Sequence, residues 1–171
     1  LYDIDGQRLD ESYDMLCNIL RNTPRKDVKI KKYLGTDNLS NALDGADFAV
    51  NAIQVGGYKP ATLIDFEVPK KYGLKQTIAD TLGIGGIFRA LRTIPVMRHF
   101  ADVMEKVCPK VMLLNYTNPM AILSGYMQRY TGVKTIGLCH SVQVCANTLL
   151  KNLSMDEYVN NCKWEIAGIN H

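Results

Sequence analysis

The sequence has little of what marks membrane-spanning or nucleic-acid-binding chains. No window reaches the roughly 18 consecutive apolar residues that a transmembrane helix needs. Lys and Arg number 20 against 17 Asp and Glu, so the formal net charge is only +3. The basic residues are also spread along the chain, which is typical of a solvated surface. We therefore expect neither a membrane nor a nucleic acid as a partner.

Cysteine is present but without the spacing of a disulfide framework. The number of cysteines is odd, which fits poorly with a fully paired set. We expect most of them to be small buried apolar groups in a reducing, cytoplasmic compartment. The five are Cys17, Cys108, Cys139, Cys145 and Cys162.

A glycine-rich loop that could hold a dinucleotide pyrophosphate is also missing. In dinucleotide-binding folds this loop follows the first strand, a position that would lie before residue 1 here. The chain opens without Met on what resembles a strand end, and it closes inside another apparent element, so we expect a fragment. Apolar residues make up 47% and charged residues 22% of the 171 residues, as in ordinary globular proteins. This length allows one domain, or one domain and part of another.

Strand and helix patterns alternate along the chain. This order predicts an α/β fold, a Rossmann-like parallel sheet with helices on both faces. The patterns predict strands at 1–3, 28–34, 46–53, 111–115, 135–138 and 164–169, helices at 7–21, 39–43, 87–107, 119–130 and 142–150, and a long loop over 58–86.

Three polar clusters follow predicted strands. They are Asp3 with Asp5, the segment 115–118, and Cys139 with His140. Ligands of open parallel sheets bind outside the carboxyl ends of the strands. The sequence therefore predicts a site at that edge.

Each candidate residue has a structural alternative. Asp3 is placed to accept hydrogen bonds from a ribose, or is a loop or helix-capping acid. Asn118 orients a sugar hydroxyl or a nicotinamide ribose, or caps the helix that follows it. Cys139 and His171 are metal ligands, or a buried thiol and a core histidine. Asp80, in a glycine-rich turn before a helix, holds a sugar or tunes a base, or lies in a capping turn before exposed arginines.

Five segments, in this order along the chain, resemble motifs of glycoside hydrolase family 4, the NAD-dependent glycosidases. The resemblance covers nearly the whole chain. Within the family, Cys139-His140-Ser141 is similar to the α-galactosidase branch, whereas phospho-glycosidases typically have Asp after the Cys. The matching segments are NAIQVGGY (51–58), QTIADTLG (76–83) continuing through GGIFRALRTIP (85–95), LNYTNPMA (114–121), GLCHSVQ (137–143) and AGINH (167–171).

The resemblance implies a role for each candidate residue. Cys139 and His171 would be the protein ligands of a divalent metal, usually Mn²⁺. His140 would be the acid that assists the leaving group, and Asp80 would support a base that lies beyond residue 171. The remaining candidates are Asn118, Asn51, Arg89 and Arg92 for the substrate, and Asp3, Asn51 and Asn115 for NAD.

The resemblance also implies a reaction and an organisation. The family hydrolyses glycosides by NAD-dependent oxidation at C3, deprotonation at C2, elimination of the C1–O bond, addition of water and re-reduction. We expect a small α-galactoside as substrate and a homo-oligomer, dimer or tetramer, when the protein is full length. Residues 1–140 would be a partial NAD-binding domain of the lactate and malate dehydrogenase type, and 141–171 the beginning of a C-terminal α+β catalytic domain.

Three alternatives stay open at this point. An α-glucosidase or α-glucuronidase of the same family shares much of the pattern. A malate- or lactate-type dehydrogenase shares the strand order and the Asn-Pro after a strand, but it needs no metal and leaves Cys139-His140 unexplained. A non-catalytic remnant that binds nucleotide or packs as a subunit is the third.

Overall fold

The computed structural model describes residues 1–24, 27–76, 83–165 and 167. Strands and helices alternate through most of this part of the chain. The elements are β1 (Tyr2–Asp3), α1 (Gly6–Arg21), β2 (Tyr33–Leu34), a 3-10 turn (Thr36–Asn38), α2 (Leu39–Leu43), β3 (Phe48–Asn51), a π-helical turn (Gly57–Thr62), α3 (Leu63–Lys71), α4 (Gly83–Val107), β4 (Met112–Asn115), α5 (Met120–Tyr130), β5 (Lys134–Gly137), α6 (Ser141–Asn152) and a 3-10 turn (Asp156–Tyr158).

All strand pairs of the described residues are parallel, in two sheets. One sheet pairs β1 with β2, and the other has the order β3-β4-β5. Parallel neighbours need a crossover connection, and helices supply it here. The predicted Rossmann-like α/β class is confirmed.

The core lies between one face of the β3–β5 sheet and helices α4 and α5. Alternate residues of a strand point to the same face, so Leu113 faces the helices while Met112 and Leu114 face away. Each fully buried Leu or Met side chain contributes about 1.5–3 kcal/mol. The buried cluster is Met97, Ala101, Met104, Cys108, Val111, Leu113, Leu123, Met127 and Val133.

The predicted loop over 58–86 is wrong. Helix is present over Leu63–Lys71 and at the start of α4 at Gly83, whereas the turn Gly57–Thr62 contains Lys59 in extended geometry, φ −109 and ψ 129. Helix α3 has no apolar stripe, since its buried residues are Asp65 and Pro69. A buried carboxylate and a proline hide the helical period that sequence reading depends on.

Two predicted strands differ from the structure. The strand at 28–34 is reduced to Tyr33–Leu34, because only these residues pair with β1. Of the predicted strand at 164–169, the described residues 164, 165 and 167 are not in a strand. The other strands agree with prediction within two residues at either end.

Helix starts are set locally. The Asp5 side chain caps α1 by accepting the Arg8 N–H at 3.0 Å. Helix α5 begins at Met120 with Pro119 at the N-cap position, so Asn118 lies outside the helix and is not its cap. Among the described residues, no helix is both long and apolar enough to cross a membrane.

We predict opposite effects of two glycine-to-alanine changes, one at Gly137 in β5, which packs against α5, and one at Gly125 within α5. A methyl group at Gly137 would collide with Met120 and approach Ser124 Oγ to 2.7 Å, whereas one at exposed Gly125 would meet nothing within 4 Å. Gly137→Ala should destabilise the fold by about 1–3 kcal/mol through overpacking. Gly125→Ala, the matched control inside a helix, should stabilise it by about 0.5–1 kcal/mol. Urea denaturation measures both, and equal shifts of one sign would contradict the packing of β5 on α5.

Candidate active site

The three strands of the larger sheet end at one edge. Asn51, Asn115 and Gly137 stand in register across β3, β4 and β5. Cys139 follows two residues after Gly137, and Asn118 three residues after Asn115. The structure therefore brings the polar clusters after β4 and β5 to a common edge, as the sequence predicted.

A buried amide network lies directly beneath this edge. Asn51 Nδ2 donates to Asn115 Oδ1 at 2.9 Å, to Thr117 Oγ1 at 3.1 Å and to the Met97 sulfur at 3.2 Å. Asn115 is fully buried, and its Nδ2 donates to the Ser124 hydroxyl at 3.1 Å and to the Thr117 carbonyl at 3.2 Å. Both atoms of the Asn115 amide are thus engaged within the protein.

Thr117 joins two loops at the edge. Its hydroxyl donates to the Ile53 carbonyl at 3.2 Å, and its backbone N–H donates to Asn115 Oδ1 at 3.2 Å. Thr117 had no predicted role of its own, although it lies two residues after Asn115 in the polar segment 115–118. The next residue, Asn118, is half-buried and joined to Pro119 by a cis peptide bond.

Cys139 lies between the end of β5 and the start of α6. Its sulfur shares a hydrogen bond with the Ser141 hydroxyl at 3.2 Å and accepts the Ser141 N–H at 3.4 Å. The hydroxyl contact, then the N–H, lowers the pKa of the Cys139 thiol below its usual value. A thiolate is the form that binds metals, so this surrounding favours a ligand role.

His140 is exposed and occupies the N-cap position of α6 without a side-chain capping bond. An exposed imidazole next to the site edge is free to meet a ligand from solvent. The other two candidates for catalysis and metal binding, Asp80 and His171, lie outside the described residues.

Asp3 ends β1 in the smaller sheet and is held by its own neighbours. Oδ1 accepts the Asp5 N–H at 2.9 Å and Arg8 Nη2 at 2.8 Å, and Oδ2 accepts Arg8 Nε at 2.8 Å. The bond from Arg8 lowers the pKa of Asp3. A carboxylate has about four acceptor positions, so about one is left for a ribose hydroxyl.

Two of the arginines of α4, Arg89 and Arg92, are not surface groups. Arg89 is 8% exposed, which makes the alternative of exposed arginines wrong. Arg92 forms a two-fold ion pair with Asp65, Nη1 to Oδ1 at 3.0 Å and Nη2 to Oδ2 at 2.6 Å, and its Nε donates to the Val55 carbonyl at 3.1 Å. Asp65 and Val55 had no predicted role.

A divalent metal finds only part of its ligand set in the described ranges. No group of three or more His, Cys, Asp and Glu side chains close enough to hold an ion occurs there. Cys139 supplies one suitable donor, and open positions for substrate oxygens would suit a catalytic ion. The roles of Cys139 and His171 as ligands stay predictions.

We predict that Asn115→Ala loosens the edge of the sheet. The change leaves buried donors of Asn51 and Thr117 without their acceptor, at about 1–3 kcal/mol for an orphaned group. Urea denaturation measures the loss, with Asn152→Ala on the exposed end of α6 as the control. A loss below about 0.5 kcal/mol, the usual surface value, would contradict the network.

A second prediction concerns the Cys139 thiol. Because Ser141 lowers its pKa, Cys139 should be alkylated by iodoacetamide at lower pH than an ordinary thiol, in EDTA to remove metals. Ser141→Ala should move that profile to higher pH, and Ser141→Thr, which keeps the hydroxyl, should not. Mass spectrometry of each cysteine peptide gives the profile. Cys145, which is exposed on α6, is the internal reference, since the buried Cys108 is out of reach of the reagent. An unchanged Ser141→Ala profile would contradict the contact.

Comparison with known sequences agrees with the resemblance. The model of the family 4 glycosyl hydrolases matches residues 1–155. An α-galactosidase of Bacillus subtilis (strain 168) is 59% identical over 171 residues, which cover 100% of this chain and 38% of that protein. An α-galacturonidase of Thermoanaerobacter italicus is 34% identical, covering 100% and 37%. The chain spans less than two-fifths of the length of these relatives.

Solved structures agree in fold. The 6-phospho-β-glucosidase of Thermotoga maritima, solved with manganese, NAD⁺ and glucose-6-phosphate, is 25% identical with a TM-score of 0.74, covering 90% of this chain and 35% of that one. A 6-phospho-α-glucosidase from gut microorganisms, in complex with NAD and glucose-6-phosphate, is 26% identical with a TM-score of 0.73, covering 90% and 35%. The chain belongs to glycosyl hydrolase family 4.

Proposed function

We propose that the protein carrying this chain hydrolyses α-galactosides with NAD and a divalent metal, usually Mn²⁺ in this family. The observation that carries the proposal is the 59% identity with an α-galactosidase along all 171 residues. Identity with the α-galacturonidases is lower, at 34% and 35%. NAD and manganese are supported by the solved relative that contains both.

The residues at the sheet edge have distinct tasks in this proposal. Asn118 binds a sugar hydroxyl through its amide, and Cys139, as a thiolate, is a metal ligand together with His171. Asp3 accepts a hydrogen bond from the adenosine ribose through the acceptor position that Arg8 and Asp5 leave open. Of the two candidate arginines of α4, we assign Arg89 to the substrate, since Arg92 is engaged by Asp65 and the Val55 carbonyl.

NAD when bound supplies a reversible hydride acceptor, and the metal supplies a positive charge that stabilises oxygen anions of the sugar. The exposed imidazole of His140 donates a proton to the leaving oxygen, and Asp80 supports the base. We assign Asn51 and Asn115 to holding the edge in register, because their amides bond to each other. The role of Asn51 and Asn115 depends on the fixed position of their side chains and needs no charged group.

The wider organisation follows the same proposal. The division into 1–140 for NAD and 141–171 for the start of a catalytic domain is a proposal, as is self-association of the full-length protein. A cytoplasmic location is supported by the five cysteines, all of which are free thiols in the structure. Membership in the glycosidase family disfavours the dehydrogenase alternative.

The first test is hydrolysis of p-nitrophenyl α-galactoside by the complete protein under reducing conditions. We expect activity that needs both NAD⁺ and Mn²⁺ and that EDTA abolishes. The α-galacturonide and the α-glucoside serve as competing substrates, since relatives of those names also match. Hydrolysis without NAD⁺ would refute the mechanism, and preference for either competitor would refute the sugar assignment.

A paired cysteine substitution tests the metal ligand. Cys139→Ser should abolish metal-dependent hydrolysis, because a neutral hydroxyl is a far weaker ligand than a thiolate. Cys145→Ser is the matched control, since Cys145 is exposed on α6. Wild-type turnover by Cys139→Ser would rule out its ligand role.

A further inference from the structure

We propose that Asp65 and Arg92 are positioning residues that fix the loop 53–57 at the edge of the sheet. Arg92 acts on the loop directly, and Asp65 acts through Arg92. The effect on turnover rests on the proposed function, whereas the effect on the loop does not.

The ion pair between Asp65 and Arg92 is bidentate and buried on the Asp65 side, unlike an exposed surface ion pair. Asp65 has no exposed surface, and both of its oxygens bond to the Arg92 guanidinium at 2.6 and 3.0 Å. The hydrogen bond and the charge of Asp65 raise the pKa of Arg92. A buried ion pair is weak evidence for stability, because desolvation offsets the attraction. Its geometry must be explained by what else it holds.

What Arg92 also holds is the loop that follows β3. Its Nε donates to the Val55 carbonyl at 3.1 Å, so the guanidinium joins α3, α4 and the loop. Gly56 has φ +83, and a methyl group there would lie 2.6 Å from Ala61 Cβ and 3.2 Å from Arg92 Nε. The loop backbone is therefore pressed against the side chain that fixes it.

Three alternate carbonyls of the loop are held from three directions. Thr117, after β4, bonds the Ile53 carbonyl at 3.2 Å, Arg92 bonds that of Val55, and Thr62 bonds that of Gly57 at 3.3 Å. Of these contacts, only the one at Val55 depends on a charge pair. Removing it takes away the charged contact in the middle of the loop, where the Gln54 side chain still donates to Thr62 Oγ1 at 3.2 Å, while both ends stay bonded.

We expect the loss of the Arg92 contact to disturb the candidate site, because the loop 53–57 adjoins it. The loop begins two residues after Asn51, which stands in register with Asn115 at the edge that also leads to Asn118 and Cys139. Both Nη atoms of Arg92 are bonded to Asp65, and its Nε is bonded to the Val55 carbonyl. We therefore assign Arg92 to positioning the loop in place of direct substrate binding.

The test replaces the pair in the complete protein. Asp65→Leu with Arg92→Met removes both charges together, which keeps buried ion-pair sites folded. Arg92→Lys keeps the positive charge but cannot reach both the carboxylate and the carbonyl. The control is Arg98→Lys, which changes an exposed ion pair with Asp102 on the same helix.

Two readouts are needed. Hydrogen exchange of peptides covering 53–57 should accelerate about tenfold in the double variant and in Arg92→Lys, while β4 peptides and the Tm stay close to wild type. For the galactoside, kcat/KM should fall about a hundredfold, with kcat carrying the larger share, as for a misplaced site. The control should change neither.

Each contrary result has a clear meaning. Wild-type exchange and kcat/KM in the double variant would overturn the proposal, since the pair would then be stabilising only. A raised KM in Arg92→Lys with unchanged loop exchange would overturn it in favour of direct binding. Absence of hydrolysis by the wild-type protein would defeat the proposed function, and the exchange measurement would still decide whether the pair holds the loop.

Discussion

The hydrogen bond between the buried side chains of Asn51 and Asn115 is the contact on which the candidate site depends. An amide buried without partners costs several kcal/mol, roughly 2–7 depending on the reference state. The two amides avoid that cost only when β3 and β4 pair in the observed register. A slip by one residue would turn either amide to the other face. The strand register that forms the sheet therefore also aligns the residues at its edge.

The loops beyond the edge inherit their positions from this contact. The Thr117 hydroxyl accepts from Asn51 Nδ2, and the Thr117 N–H donates to Asn115 Oδ1. Because the same hydroxyl donates to the Ile53 carbonyl, the segments after β3 and β4 are tied to each other. Met97 and Ser124 connect the same network to α4 and α5. Ligand-binding loops are usually among the less stable parts of a fold, and side chains from the core limit that freedom here.

Sequence patterns were sufficient where burial is apolar. Strand β4 and helix α4 follow from short apolar runs and from apolar residues spaced at helical intervals. Two of the three polar clusters that follow predicted strands lie at one edge, after β4 and β5. Helix α3 was missed because its buried side chain is Asp65, whose partner Arg92 lies 27 residues away. No local pattern reveals such a pairing, since it depends on how two helices pack.

Strand parity held information that the sequence analysis left unused. Asn115 is two residues from Leu113, so both point towards the helices. An amide on that face is more suited to internal bonding than to a ligand, and its full burial agrees. Asn118 and Cys139 lie beyond the strands, where parity no longer constrains a side chain. We therefore separate the edge into a frame of neutral amides and hydroxyls, whose charge does not depend on pH, and the side chains beyond it, to which our proposal assigns the chemistry.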